Sequence, residues 1–194
     1  MINNGHNTPH NKQIRTHDEM VSVLAKPGQD IINDLTPGAM HNLHMAVGIS
    51  GEVGELLEAL REGEDNILEE LGDIEFYFEG LQQGIEFNVD DDHDSTDDLS
   101  GLGLQPLMEE LTIDAGNILD TVKKQTIYAK DLDRDKLINL MLDFRAILNA
   151  VYNHSEIGCS PYMAKCENVR KLGKRYEGFK YTNEAAQNRA DKAS

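Results

Sequence analysis

Four carboxylates at two matched spacings are the part of this chain that could do chemistry. Glu52-Val53-Gly54-Glu55 and Glu70-Leu71-Gly72-Asp73 each set two acids three residues apart. On a helix, residues i and i+3 stand about 60° apart and about 4.5 Å along the axis. Two such helices packed antiparallel point four carboxylates into one space. Like charges do not gather without a counter-charge, so a hard divalent cation with oxygen ligands is the natural occupant. The plainer alternative is a charged outer face. The glycines weigh against it: Gly48, Gly51 and Gly54 recur every third residue, and Gly72 splits the second pair. Each costs about 1 kcal/mol against Ala inside a helix, which implies close backbone approach around the acids.

The elements that must position these acids are marked in the sequence. Thr36-Pro37 is an N-cap followed by Pro at the first helical position, and the helix runs to about Glu62 and stops at Gly63. Its apolar stripe is Ile49, Val53, Leu56, Leu57 and Leu60. His41, His44, Gly48, Glu52 and Glu55 share a sector about 80° wide beside that stripe. Asn66-Ile67-Leu68-Glu69 reads as a capping box opening a second helix. Ile67, Leu71, Ile74, Phe78 and Leu81 form its core face, with Glu70, Asp73 and Tyr77 on the flank. Both helices thus carry their acids at the edge of a buried stripe. Glu58, Glu62 and Glu69 are expected to point elsewhere, into solvent.

The same hairpin recurs in weakened form. Gly51–Leu60 aligns with Ile113–Val122 at an offset of 62, and Ile67–Leu81 aligns with Leu137–Val151 at an offset of 70. The extra eight residues fall in a longer connector, Lys123–Arg134. In the second copy Asp114, Asn117 and Leu140 replace Glu52, Glu55 and Glu70, and only Asp73 is kept, as Asp143. That copy cannot assemble the same site, but two hairpins can pack as a four-helix bundle within one chain. The fold class is therefore all-α. Residues 1–34 hold a polar segment, disordered over 1–12, and a short helix. Residues 35–87 form the acidic hairpin, 88–105 an acidic linker, 106–160 the degenerate hairpin, and 161–194 a C-terminal helix with a basic tail. Residues 35–194 make one folded domain.

Charge and composition narrow the function classes. The net charge is −17, which argues against a duplex nucleic acid partner. Residues 165–194 nevertheless hold eight of the 18 Lys and Arg. No apolar run approaches a membrane span and the start lacks a signal-peptide pattern, so no membrane partner and a cytoplasmic location are expected. Cys159 and Cys166 read as reduced thiols. The run Asp90–Asp98 fails as a calcium loop, since Ser95 and Gly101 stand where Gly and Glu are needed. It is expected to be a mobile, solvated loop.

Three segments together resemble a known family. Gly51–Leu57 (GEVGELL), Glu69–Asp73 (EELGD) and Asn168–Tyr176 (NVRKLGKRY) look like the all-α nucleoside triphosphate pyrophosphohydrolases of the MazG-like and dimeric dUTPase type, some of them viral. Residues 35–81 and 166–191 fit, with 14 residues between Glu55 and Glu70. The resemblance implies a MazG-like helical bundle in which Glu52, Glu55, Glu70 and Asp73 hold two or more Mg²⁺, with Mn²⁺ a possible substitute. It implies cleavage of a (d)NTP to (d)NMP and pyrophosphate. The chemistry of the acids has water attack the α-phosphorus, or the β-phosphorus as in some relatives, with Glu55 the candidate carboxylate to accept its proton. The substrate could be dUTP, dCTP, dGTP or a non-standard NTP, and a homo-oligomer, dimer or tetramer, is expected. In short relatives a connector like Lys123–Arg134 lies between the intact acid pairs; here it lies in the degenerate copy.

The tail adds the remaining candidates. A helix from Pro161 to about Tyr176 is expected to present Lys171, Lys174 and Arg175 on one face to phosphate oxygens, docked by Val169 and Leu172. Asn168, His44 and Met45 are candidates for base or sugar contacts. From other classes come two alternatives. One is a nucleotide-sensing or regulatory protein of the same fold without turnover; the other is a helical scaffold with surface acids.

Overall fold

The computed structural model describes residues 16–91, 93, 99 and 101–189. The disordered stretch expected over 1–12, and the mobile loop expected over Asp92 and residues 94–98, lie outside the described residues. Helices α1 (His17–Leu24) and α2 (Gly28–Asp34) precede the long helix α3 (Pro37–Glu62). Then come α4 (Ile67–Ile85), α5 (Leu104–Tyr128), α6 (Arg134–Asn153) and α7 (Pro161–Arg175). A 3₁₀ turn, Glu177–Phe179, and α8 (Asn183–Asn188) close the chain. No strand occurs among the described residues, so the fold is all-α. No helix among them is long and apolar enough to cross a membrane.

Capping sets the boundaries. The Thr36 hydroxyl accepts the Ala39 N–H at 3.2 Å, and Gly63 ends α3 in the left-handed region at φ 69°. Ser160 caps α7 by accepting the Met163 N–H at 3.3 Å, with Pro161 behind it. At α4 the capping box does not form. Asn66 sits at φ −93°, ψ 5°, too far from extended to cap, and its Nδ2 donates instead to Glu70 Oε1 at 2.7 Å. Helix α5 runs on to Tyr128, so most of the expected Lys123–Arg134 connector is helical. The N-terminal region holds two short helices rather than one.

The hairpins α3–α4 and α5–α6 pack on each other through α3 and α5, and α7 lies on α4. Six aligned pairs of the two hairpins are buried alike, while buried Ala146 and Ile147 align with exposed Phe76 and half-buried Tyr77. Val53, Leu56, Leu71, Ile74, Phe78 and Leu81 are buried, and so are their counterparts Ala115, Ile118, Met141, Phe144, Leu148 and Val151. Leu57 departs from the expected stripe and is 40% exposed, because it sits 100° round from Leu56. Glu75 and Arg145 occupy matched positions at the offset of 70 and meet each other. Arg145 donates to both Glu75 oxygens, at 2.7 and 2.9 Å, and lies 4.5 Å from the Phe78 ring centre. Tyr152 donates a further hydrogen bond to Glu75 at 3.1 Å.

The acidic linker is pinned at both ends. Val89 is buried, its N–H donates to Gln82, and Leu99 packs on the core. Asn149 donates to the carbonyls of Asp91 and His93 at 2.9 and 2.8 Å.

The glycines divide into two groups. A Cβ on Gly48 would fall 2.2 Å from the Tyr77 ring, and one on Gly72 would fall 2.7 Å from the Ala164 carbonyl oxygen. Those two are needed for close approach. Gly51 and Gly54 face open space, so the close approach expected of them does not occur within the chain. Gly54→Ala should stabilise the monomer by about 1 kcal/mol, and Gly48→Ala should destabilise it by overlapping Tyr77. Urea midpoints check both. A destabilised Gly54→Ala would mean that this face of α3 is covered in solution.

Candidate functional site

Helices α3 and α4 bring their acids to a cavity of about 540 Å³. Carboxylate oxygens of Glu52, Glu55 and Glu70 all lie within 4.8 Å of one another. Asp73, the fourth expected acid, stands beside them with its oxygens engaged by α7. Its Oδ1 accepts from Asn168 Nδ2 at 2.6 Å, and its Oδ2 pairs with the Lys171 ammonium. The same ammonium lies 3.3 Å from Glu69 Oε1. The expected group of four is thus three carboxylates plus one held by a lysine. The physical reason is charge: a buried ammonium supplies the counter-charge that these acids require.

Burial, with the neighbouring carboxylates of Asp73, Glu55 and Glu70, pushes the Glu52 carboxyl up to about 8. Burial, with Glu55, Glu69 and Asp73 beside it, raises Glu70 as well. A hard cation would remove this penalty. The separations suit one: oxygens on opposite sides of Ca²⁺ stand about 4.6–5.2 Å apart, and about 4.0–4.2 Å around Mg²⁺. A span within 4.8 Å closes on Mg²⁺ with small side-chain shifts.

Helix α7 reaches the acids because Gly72 leaves room for it. Val169 does not dock it as expected, being 59% exposed. The docking face is Ala164, Asn168 and Lys171, all buried, and Leu172 turns toward the cavity. The three basic candidates separate. Lys171 holds Asp73 and Glu69. Arg175 lines the cavity. Lys174 is exposed, is not among the lining residues, and acts electrostatically on Glu167. Asn168 is placed as the partner of Asp73.

The remaining expectations sort as follows. His44 lines the cavity and meets the Tyr77 ring edge-on, with centroids 5.9 Å apart. Met45 is buried beneath Gly80, where a Cβ would lie 2.2 Å from its sulfur, so it is a core residue rather than a base contact. His41 is not among the lining residues and hydrogen-bonds the Gly80 carbonyl at 2.9 Å. Glu69, expected in solvent, lines the cavity beside Lys171, because Asn66 does not draw it into a capping box. Lys123 and Lys124 both pair with Asp120, at 3.0 and 2.6 Å, and neither lines the cavity.

The second copy keeps a trace of the arrangement. Burial and the nearby Asp143 raise Asp114 to about 6, as burial and Asp73 raise Glu52. Asn117 and Leu140 stand where two further acids would be needed.

Sequence reasoning missed part of the cavity lining: Phe76, Tyr176, Phe179, Tyr181 and Arg189. A signal was present. Tyr176, Phe179 and Tyr181 cluster just past α7 in a chain that is only 6% aromatic.

A stability prediction follows from Glu52. Its folded value of about 8 lies above the ordinary 4.5, so the folded state binds the extra proton between those limits. The stabilisation is complete below about 4.5 and is lost as pH rises through about 8. In EDTA, the melting temperature should fall between these limits more steeply for the native chain than for Glu52→Gln. Parallel profiles would contradict the assignment.

No family model, curated protein or solved structure matches this chain.

Proposed function

We propose that this chain is a Mg²⁺-dependent nucleoside triphosphate pyrophosphohydrolase that cleaves a (d)NTP to (d)NMP and pyrophosphate. The observation that carries the reading is the convergence of Glu52, Glu55 and Glu70 within 4.8 Å, with Asp73 beside them, in a cavity large enough for a nucleotide. A structural ion pair needs no such crowding. Glu52 and Glu70, raised by burial and then by the neighbouring carboxylates, support a group poised for a cation. Glu52, Glu55 and Glu70 would hold Mg²⁺, and Asp73 would join them when Lys171 shifts toward the arriving phosphates. The metal supplies charge neutralisation for the triphosphate and acidifies water.

The other roles belong to the chain's own side chains. Glu55, the exposed member of the cluster, accepts the proton of the attacking water. Lys171 and Arg175 face phosphate oxygens from α7, Arg175 with a planar fork able to bind two at once. Asn168 fixes the rotamer of Asp73. His44 and Tyr77 close the side wall. A cytoplasmic location belongs to the same proposal. In the expected homo-oligomer, the exposed α3 face around Val47, Gly51 and Gly54 is where a second copy would pack.

Incubating the protein with each of the eight common NTPs and dNTPs, with and without Mg²⁺, tests the reading. Pyrophosphate release from at least one, abolished by EDTA, is expected. Silence across all eight would overturn it.

A further inference from the structure

We propose that the C-terminal hook, residues 176–189, is the seat of an aromatic base, with Phe179 and Tyr181 as its stacking surface. The inference deepens the nucleotide reading of the same cavity and rests on it. The acids, these two rings and Phe76 line the same cavity.

Exposure is the first argument. Phe179 is 68% exposed, Tyr181 70% and Phe76 46%, although each lines a cavity. Rings of this size left open to water at a concave surface are available to a flat ligand. Backbone geometry is the second. Gly178 and Phe179 are both left-handed, at φ 61° and 54°. That conformation is unfavourable for a bulky residue such as Phe. It turns the chain sharply and lays the Phe179 ring over α7, where a Cβ on Gly173 would meet it at 3.4 Å. The third argument is support: the Tyr176 and Tyr181 rings lie 5.6 Å apart at 34°, so Tyr181 is backed by a second ring.

Stacking accepts any base, since every base has a π-face.

The test uses Phe179→Ala and Tyr181→Ala, with Phe179→Leu and Tyr181→Phe as controls. Both positions are exposed, so folding is not at risk. Calorimetry with Mg²⁺ measures binding of a non-hydrolysable dNTP analogue and, separately, of inorganic triphosphate, which has no base. The alanine variants should weaken the analogue about tenfold or more each and leave inorganic triphosphate unchanged. Tyr181→Phe, which keeps the ring, should bind like the native chain. Equal losses for both ligands, or none for the analogue, would overturn the seat. Analogue binding that depends on the rings in a protein that hydrolyses nothing would keep the seat and reject the hydrolase reading.

Discussion

Glu52→Gln is expected to abolish hydrolysis and, in the absence of metal, to make the protein more stable. The change keeps the shape of the side chain and removes one charge. In the metal-free protein that charge is a liability, because burial and three neighbouring carboxylates hold Glu52 up to about 8. Gln presents the same bulk without the repulsion, so the melting temperature in EDTA at pH 8 should rise. With Mg²⁺ the order reverses. The native chain gains stability from the ion by mass action, and the variant, lacking one of three clustered ligands, gains little. Turnover should fall by about two to three orders of magnitude or more, the usual scale when a charge-stabilising group is lost from an active site. This opposition between stability and activity is typical of functional sites. Differential scanning calorimetry with and without Mg²⁺, beside a pyrophosphate assay, reads both halves. A variant that is less stable without metal, or that keeps near-normal turnover, would remove Glu52 from the centre.

Glu75→Gln should produce the largest loss of stability from a single isosteric change. Arg145 is 1% exposed and Glu75 3%, and their two hydrogen bonds join α4 to α6 at the centre of the bundle. Removing the carboxylate charge leaves Arg145 buried without its counter-ion, and its Nε already has no partner. Breaking a buried pair in this way costs about 3–5 kcal/mol. For a chain of this size that is roughly a 6–20 °C fall in melting temperature. Arg145→Met should cost less, because Lys165 stands 3.7 Å from Glu75 and can take over part of the charge. Replacing both Glu75 and Arg145 by Leu should recover most of the loss, since buried ion pairs are often matched by apolar packing of similar volume. Thermal melts of the four proteins decide. A Glu75→Gln variant within 1 kcal/mol of native would show that the pair is not a clamp.

The bundle was legible because its signals are local. Thr36-Pro37, Gly63 and Ser160-Pro161 fix helix ends through backbone chemistry that needs no partner, and the apolar periods of α3 and α4 name their own core faces. The duplication was legible for the same reason. The acids were half legible. Spacing on each helix placed Glu52, Glu55 and Glu70 together, but the partner chosen by Asp73 depends on α7, which lies 95 residues further along at Asn168. Gly72 could be singled out but not explained, since the atom it makes room for is the Ala164 carbonyl. Lys171 was read as a partner for phosphate oxygens, while the fold buries it against Asp73 and Glu69. Glu75 and Arg145 carried no local signal, because opposite charges 70 residues apart become a pair only once the packing of the helices is known. The aromatic lining was missed because Phe179 and Tyr181 acquire meaning only when the hook returns over the cavity.

The central claim is that the carboxylate cluster drives hydrolysis of a triphosphate between its α- and β-phosphates. Phosphorus NMR of the reaction of the best substrate with Mg²⁺ in ¹⁸O-labelled water tests it most directly. The account predicts nucleoside monophosphate and pyrophosphate in equal amounts, with the label in the monophosphate, and no product from Glu52→Gln. Nucleoside diphosphate with orthophosphate, or full product formation by the Glu52→Gln protein, would contradict it.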